Sequence, residues 1–276
     1  MIIGLLHPGK MGAAFGAQLV AAGHRVHWCA AGRSANTAAR AEEAGLRTVG
    51  SLAEMLGGSE VVFSVCPPAN AEQLANEIGD HGFHGLFVEA NAINPARMIR
   101  IADRVRAAGA RVVDGSIIGP PPTGERRARV YLSGPPGDVD VIHRLLSGSQ
   151  AEPRRVDDRI GSASALKMAY GSFQKASRAL AAVSHALADE YGVAEHLMTE
   201  AVALGPNALA ERQYAASAAA RAWRWEPEML EAADSFRAAR LPDSLAVGAA
   251  EVFRRWAPDK DNWDLDTDTA LTHLRE

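Results

Sequence analysis

Short apolar runs alternate with helical patterns through the first 160 residues of this chain. Runs of four to six residues indicate buried strands at 2–6, 25–30, 61–66, 86–89, 111–114 and 129–132. Helical patterns separate several of them, as at residues 11–22, 35–44 and 94–108. Continuous apolar strands that alternate with helices are typical of a parallel sheet covered on both faces. The sequence therefore predicts an α/β fold with a doubly wound parallel sheet.

The strand pattern ends near residue 160, where the chain becomes rich in alanine. Residues 162–190 contain one glycine, Gly171, and no proline, which predicts a single helix roughly 40 Å long. Further helices are predicted at 194–203, 207–220, 227–239 and 244–256, and the polar tail at 259–276 is expected to wrap the surface. The 276 residues thus divide into an α/β domain at 1–160 and an all-α domain at 161–276.

Composition excludes several classes of protein. The formal net charge of −4 argues against a nucleic-acid-binding protein, which usually carries a basic excess. No stretch of roughly 18 apolar residues is present, so no membrane span is expected, and the N-terminus lacks the basic region of a signal peptide. Two cysteines, Cys29 and Cys66, make no disulfide framework and favour a cytoplasmic location. The nine histidines lack the spacing of metal ligands, so no metal site is expected.

A glycine-containing turn joins the first strand to the first helix, at His7, Pro8, Gly9, Lys10, Met11 and Gly12. Nucleotide-binding βαβ units use G-x-G-x-x-G here, so that the backbone approaches a pyrophosphate at the helix N-terminus. Gly9 and Gly12 fill the second and third glycine positions, whereas His7 replaces the first. The turn must therefore form without a positive φ at His7, or with strain. We interpret it as a Rossmann-type dinucleotide site; the alternative is an ordinary strand-to-helix turn.

The end of the second strand favours NADP(H) over NAD(H). NAD-binding folds place a carboxylate there for the ribose hydroxyls, while a basic residue accommodates the 2′-phosphate. No carboxylate occurs at 28–34, where Arg33 offers a planar guanidinium and Ser34 a hydroxyl. The alternative for Arg33 is an ordinary solvated surface arginine.

Several segments in this order resemble the β-hydroxyacid dehydrogenases, relatives of 6-phosphogluconate dehydrogenase. Residues 4–23 look like the N-terminus of that family. Residues 114–119, DGSIIG, are similar to its D-A-P-V-S-G segment, and residues 161–170, GSASALKMAY, to its G-x-G-x-x-x-K-x-x-N segment. Residues 224–253 are similar to a subfamily with a C-terminal domain of unknown function. The resemblance covers nearly the whole chain.

The resemblance implies an oxidoreductase that transfers hydride between nicotinamide and a small carbonyl or hydroxy substrate in an interdomain cleft. Lys167 matches the family's general acid/base, and partial desolvation would lower the pKa of its ammonium towards neutrality. Tyr170 stands where the family has asparagine and would orient the carbonyl. Lys175, two helical turns on, is a weaker candidate for substrate binding. The alternative for Lys167 is a surface lysine whose stem lies on an alanine-rich helix.

Departures from the family pattern bear on the substrate. The segment Ser116, Ile117, Ile118 and Gly119 matches the family's carboxylate-binding segment, but Ile118 replaces its serine. We expect a more apolar pocket, in which Ser116 supplies a replacement hydroxyl. Glu228 stands where a cation is common, which suggests an acidic pocket. An imine reductase on the same scaffold is therefore a second hypothesis, and a non-catalytic NADP-binding protein is a third.

Ligands in such folds bind at the carboxyl ends of the strands. Cys66, Pro67, Pro68 and Asn91 follow two of the strands and are expected to line the nicotinamide half of the site. The prolines could equally serve only to terminate a strand, and Cys66 is interpreted as a small buried residue rather than a nucleophile. The family forms dimers through its helical domain, so a homodimer is expected.

Overall fold

The computed structural model describes residues 1–275, which divide into two compact units, 1–167 and 168 onwards. The first unit is built on one eight-stranded sheet with the strand order β3-β2-β1-β4-β5-β6-β7-β8. The strands are β1 (Ile2–Leu6), β2 (Arg25–Cys29), β3 (Arg47–Val49), β4 (Val61–Ser64), β5 (Leu86–Glu89), β6 (Arg111–Ile118), β7 (Ala128–Ser133) and β8 (Ala151–Arg155). The doubly wound α/β fold predicted for this part of the chain is confirmed.

Strand direction differs from the prediction at one edge of the sheet. Strands β1 to β6 are mutually parallel, but β7 pairs with β6 in the antiparallel sense, with Ser116 opposite Tyr131. Strand β8 then pairs with β7 in parallel. The prediction of a parallel sheet was therefore wrong for β7, and β8 was not predicted. The short connection at 119–127 carries no crossover helix, so the chain can only turn back beside β6.

Six helices cover the two faces of this sheet. They are α1 (Lys10–Ala21), α2 (Ala35–Glu43), α3 (Leu52–Gly58), α4 (Ala71–Asp80), α5 (Pro95–Ala107) and α6 (Pro136–Leu146). One core joins Phe15 of α1 and Ile142 of α6 to the sheet, where Phe15 packs edge-on against Phe63 with ring centroids 4.9 Å apart. The second core joins α3, α4 and α5 to the opposite face. Both faces are thus apolar, as a parallel sheet requires.

The long helix α7 (Ser162–Glu190) has the predicted limits, and further helices make up the second unit. They are α8 (Ala194–Ala203), α9 (Tyr214–Ala219), α10 (Ala222–Ala238), α11 (Ser244–Arg255) and α12 (Thr267–His273). The helix predicted from residue 207 begins at Tyr214 instead. The Asn207 side chain accepts bonds from the backbone N–H groups of Leu209 and Ala210, which holds a turn there.

Two other predictions about the second unit need correction. The helix predicted from Pro227 begins five residues earlier, so that proline lies inside α10. The tail is not simply a surface strap, because it forms α12, with Ala270 and Leu271 buried. The indole Nε1 of Trp256 donates to the Ala270 carbonyl oxygen at 2.7 Å, which fixes α12 against the other helices. No helix within residues 1–275 combines the length and the apolar character that crossing a bilayer requires.

Candidate active site

The turn between β1 and α1 contains a backbone conformation that side chains rarely adopt. His7 has φ = +65°, in the left-handed region, which costs a residue with a Cβ about 1–3 kcal/mol. Its carbonyl oxygen accepts the Gly9 N–H at 2.7 Å. Of the two possibilities for this turn, strain at His7 is the one found. Gly12 is required for packing, since a Cβ there would lie 2.5 Å from the His7 carbonyl oxygen.

The start of α1 has the features of an anion site. Gly9 is the N-cap residue, and no side chain caps this helix. A helix N-terminus carries N–H groups without helical partners and a partial positive charge. A Cβ built on Gly9 would meet nothing within 4 Å, so the glycine leaves open space before the helix. This open space, which a side chain would fill, fits a pyrophosphate. Lys10 and Met11 lie in the first turn of the helix, and Pro8 is buried.

The end of β2 leads into a second helix N-terminus. Ser34 is the N-cap of α2, and its Oγ accepts the Thr37 N–H at 3.3 Å. The Arg40 guanidinium donates to Thr37 Oγ1 at 3.2 Å, while Arg33 is exposed beside this helix start. Thr37 and Arg40 are candidate phosphate ligands that the sequence analysis missed. In the sequence, the only indication of this role is their position in the first two turns of α2, after the pair Arg33 and Ser34.

A cavity of about 280 Å³ lies at the carboxyl ends of β1, β2 and β3. Its wall includes His7, Arg33, Cys29, Ser51 and Glu77, with aliphatic side chains between them. Burial, together with the nearby Arg33 guanidinium, lowers the pKa of the His7 imidazole to about 4. The imidazole is therefore neutral at pH 7. An apolar cavity with a few polar groups is typical of a nucleotide site.

The ends of β4 and β5 are joined through one amide side chain. Asn91 is buried; its Oδ1 accepts the Cys66 N–H, and its Nδ2 donates to Ser64 Oγ at 2.8 Å. Burial raises the pKa of the Cys66 thiol to about 12, which favours the neutral thiol and agrees with its interpretation as a non-nucleophile. Pro67 precedes a short 3₁₀ helix, Pro68–Asn70, so the two prolines end β4.

A row of four buried polar residues crosses the sheet at the ends of β4, β5 and β7 and the middle of β6. Ser64, Glu89, Asp114 and Ser133 are register partners on β4, β5, β6 and β7, and each is at most 1% exposed. Burial raises the pKa of Glu89 to about 8; hydrogen bonds from the Asn91 backbone and from side chains oppose this rise, and the Asp114 carboxylate adds to it. This row was not predicted from the sequence. Its only indication there is an acidic residue, Glu89 or Asp114, that closes each of two predicted apolar runs.

Asp114 holds the N-terminus of α7 in place. Its Oδ2 accepts from Gly161 N at 2.9 Å, Ser164 N at 3.1 Å and Ser133 Oγ at 3.1 Å, and its Oδ1 accepts from Ser164 Oγ at 2.8 Å. Burial raises the pKa of this carboxyl, while the hydrogen bonds oppose the rise. The Ala163 N–H donates to Ser133 Oγ at 3.0 Å. The first turn of α7 is therefore bonded to the side chains of β6 and β7.

Lys167 lies one turn beyond this cap. Its ammonium donates to the Ile117 carbonyl oxygen at 2.6 Å, at the carboxyl end of β6. The side chain is partly buried, as expected for a lysine that is more than a surface charge. The cap at Asp114 and the bond to Ile117 anchor this lysine to one strand from two sides. The ammonium is thereby held at the carboxyl end of β6, the edge of the sheet where such folds bind their ligands.

The other predicted substrate-binding residues of β6 are buried. Ser116, Ile117 and Ile118 are at most 6% exposed, and the Ser116 hydroxyl is buried without a hydrogen-bond partner. Their assignment to a substrate pocket stays a prediction. Gly119 ends the strand with φ = +125°, where a Cβ would lie 3.1 Å from the Arg127 carbonyl oxygen.

In the second unit, Lys175 and Glu228 form a buried ion pair. Lys175 Nζ lies 2.9 Å from Glu228 Oε2, and their side chains are 7% and 19% exposed. The expectation that Glu228 makes the pocket acidic was therefore wrong, since the neighbouring ammonium neutralises its charge. Tyr170 lies on α7 with its side chain about half exposed.

Family models match two parts of the chain. Residues 2–88 match the model described as NADP oxidoreductase, coenzyme F420-dependent, and residues 188–256 match a domain of unknown function, DUF1932. The first match covers the β1–β5 region, which is therefore similar in sequence to that oxidoreductase model. The second agrees with the resemblance to a subfamily whose C-terminal domain has no assigned function. A sequence search among curated proteins gave no match.

Solved structures share the fold along nearly the whole chain. The 3-hydroxyisobutyrate dehydrogenase of Mycobacterium tuberculosis, with L-serine, is 18% identical at a TM-score of 0.75, covering 100% of this chain and 99% of that one. An imine reductase of Streptomyces aurantiacus is 18% identical at a TM-score of 0.59, covering 100% of both chains. Psf3 in complex with NADP+ and 2-OPP is 16% identical at a TM-score of 0.69, covering 99% of both. The resemblance to the hydroxyacid dehydrogenase fold is confirmed.

Proposed function

We propose that this protein is an NADPH-dependent oxidoreductase that reduces a small carbonyl compound, or oxidises the corresponding hydroxy compound, with Lys167 as general acid/base. The observation that carries the proposal is the 2.6 Å bond from Lys167 Nζ to the Ile117 carbonyl oxygen, on a helix capped by Asp114. It fixes one ammonium at the strand ends where cofactors bind in such sheets. The match to an NADP-oxidoreductase model supports the same function.

The residues of the first unit fit a dinucleotide along the carboxyl ends of β1 to β6. Gly9, Met11 and Gly12 at the start of α1 would hold the pyrophosphate, and the ends of β4 and β5 at Cys66 and Asn91 would border the nicotinamide. When bound, the nicotinamide supplies or accepts the hydride. The ammonium of Lys167 donates a proton to the carbonyl oxygen as that oxygen becomes an alkoxide, and removes the same proton in the reverse direction.

Preference for NADP(H) over NAD(H) is part of this proposal. It is supported by Arg33, by the hydroxyls of Ser34 and Thr37, and by Arg40, all grouped at the start of α2. The end of β2 carries no carboxylate that would repel a 2′-phosphate. Replacing Arg33 with Ala should weaken NADPH about tenfold and leave NADH affinity unchanged, because one charge-assisted bond is lost only with the phosphate. Equal losses for both cofactors in calorimetry would contradict the preference.

An imine substrate is the second candidate function. It is favoured by the apolar Ile118 in place of the family serine and by the fold shared with imine reductases. The ion pair of Glu228 with Lys175 removes one of the arguments for it, since the carboxylate is already neutralised. A panel of cyclic imines and of keto and hydroxy acids, followed by the absorbance of the reduced nicotinamide, separates the two candidates. Binding of NADPH without turnover of any compound would favour a non-catalytic NADP-binding protein.

We also propose a homodimer through the second unit. Along α7, Phe173, Leu180 and Leu187 recur every seven residues and are 76%, 67% and 61% exposed, with Tyr191 continuing this apolar stripe. A heptad of exposed apolar residues on a long helix is typical of helix pairing. Replacing Leu180 with Glu should convert a dimer to a monomer in light scattering, whereas Arg237→Glu, on another helix, should not. A cytoplasmic location remains a prediction from cysteine usage.

A further inference from the structure

The strained residue of the β1–α1 turn is a histidine where glycine would meet no steric cost. His7 holds φ = +65°, which Gly adopts freely and a residue with a Cβ adopts only against repulsion. Its backbone role, the acceptance of the Gly9 N–H, needs no side chain. A strained conformation of this kind at a ligand site points to a function for the side chain itself.

The imidazole has one nitrogen turned inwards and one available to a ligand. Nδ1 is buried and has no hydrogen-bond partner. His7 as a whole is only partly buried and lines the cavity at the ends of β1, β2 and β3, so Nε2 is the nitrogen that a ligand there can reach. With no acceptor at Nδ1, the favoured neutral tautomer places the proton on Nε2. The ring therefore presents a hydrogen-bond donor to the cavity.

The surroundings of this donor indicate which part of a dinucleotide it meets. Arg33 lines the same cavity and is close enough for its charge to act on the imidazole. Ser51, after β3, and Glu77, on α4, lie on the wall as well, with apolar side chains such as Leu52 completing it. In such folds the adenosine ribose binds at the carboxyl end of the second strand. A cavity at that position, with Arg33 in its wall, is therefore suited to the adenosine part of a dinucleotide.

We propose that His7 is a specificity-determining residue, whose Nε2–H donates to the 2′-phosphate of the adenosine ribose of NADP(H) beside Arg33. This inference rests on the proposed function, because it adds a donor to the groups at the start of α2 that were proposed to hold the same phosphate. A further donor would make discrimination against NAD(H) stronger than the groups at the start of α2 alone provide. The strain in the turn would then be offset only when the phosphorylated cofactor is bound.

The test uses the full-length protein and four probes: NADPH, NADH, 2′,5′-ADP and 5′-AMP. His7→Gly removes the donor and relaxes the backbone, so the variant should fold at least as stably as the wild type in thermal unfolding. We expect NADPH and 2′,5′-ADP to bind about tenfold more weakly, and NADH and 5′-AMP to bind as before. His7→Gln places an amide donor about as far from the backbone as the imidazole Nε2, and should recover part of the affinity for the phosphorylated probes. His24→Gln, just before β2 and outside the cavity wall, is the matched control.

The outcomes separate this inference from the proposed function. If His7→Gly weakens NADPH and NADH equally, or weakens neither, the inference is overturned and the cofactor assignment stands. If the wild-type protein binds neither dinucleotide, the proposed function fails and this assignment of His7 fails with it. A selective loss of affinity for NADPH and 2′,5′-ADP in His7→Gly, partly recovered in His7→Gln, is the result that supports the inference.

Discussion

Replacement of Asp114 tests how the sheet holds the helix that carries Lys167. The carboxylate accepts four hydrogen bonds, two from backbone N–H groups of Gly161 and Ser164 and two from hydroxyls. In Asp114→Ala the hydroxyls can rotate to other acceptors, but the two N–H groups stay buried. Each unsatisfied buried donor costs about 1–3 kcal/mol, which gives a total of about 2–6 kcal/mol. Relief of the desolvation that raises the pKa of Asp114 offsets part of this loss.

Asp114→Asn should cost much less, because of how the four bonds are shared. Three of them end on Oδ2, where the amide oxygen of asparagine can sit. The amide NH₂ then faces Ser164 Oγ, a hydroxyl that can accept as well as donate. The main loss is the negative charge at the helix N-terminus, worth about 0.3–1 kcal/mol and up to about 2 when buried. Asp114→Asn should therefore lower stability less than Asp114→Ala.

Native-state hydrogen exchange of the amides in the first two turns of α7 measures this cost locally. The method does not require the two-unit chain to unfold in one step. Protection should fall strongly in Asp114→Ala and slightly in Asp114→Asn, and the turnover number should fall in the same order because Lys167 loses its support. A cost below about 1 kcal/mol for Asp114→Ala, or an equal loss of protection in Asp114→Asn, would show that Asp114 does not hold the start of α7.

Two further predictions concern the turn and the buried carboxyl. Gly12→Ala places a Cβ 2.5 Å from the His7 carbonyl oxygen and should lower the free energy of unfolding by about 1–3 kcal/mol in urea titrations. Gly9→Ala places its Cβ in open space, so it should be as stable as the wild type but bind NADPH more weakly. A loss of stability in both variants would contradict the assignment of that space to the ligand. Glu89, with its pKa raised from 4.5 to about 8, keeps its proton in the folded protein while the unfolded chain loses it. Stability should therefore fall as pH rises from about 5 to 8, on the order of 1 kcal/mol per pH unit. Glu89→Gln should remove that slope in urea unfolding at several pH values, and an unchanged slope would show that the carboxyl is ionised.

The fold was largely predictable because apolar patterns report burial. The strands Ile2–Leu6 and Leu86–Glu89 and the helix Ser162–Glu190 have the predicted limits, since each is bounded by turn residues or a change of composition. Strand β8 was missed because Ala151–Arg155 contains a proline and three charged residues, which only an edge strand tolerates. The antiparallel direction of β7 was missed because an apolar run does not encode its direction.

In the candidate site, the positions of single residues could be predicted from the sequence, but the pairs that they form could not. Lys167 and the glycines of the turn lie where the sequence placed them, at strand ends and a helix start. The partnerships of Glu228 with Lys175, and of Asp114 with the start of α7, join residues 53 and 50 positions apart and follow from tertiary packing alone. No local pattern distinguishes a free carboxylate from one that is already paired.

The proposed role of Lys167, proton transfer in an NADPH-dependent reduction, is tested most directly by the variant Lys167→Ala. Its rate of NADPH oxidation is measured with the best compound of the panel, alongside its NADPH dissociation constant. We expect kcat to fall by about 10²–10⁴, the range of general acid catalysis, with unchanged NADPH affinity. Lys260→Ala, which removes a cation stacked on Trp223, should leave both quantities as in the wild type. Wild-type turnover in Lys167→Ala would contradict the claim.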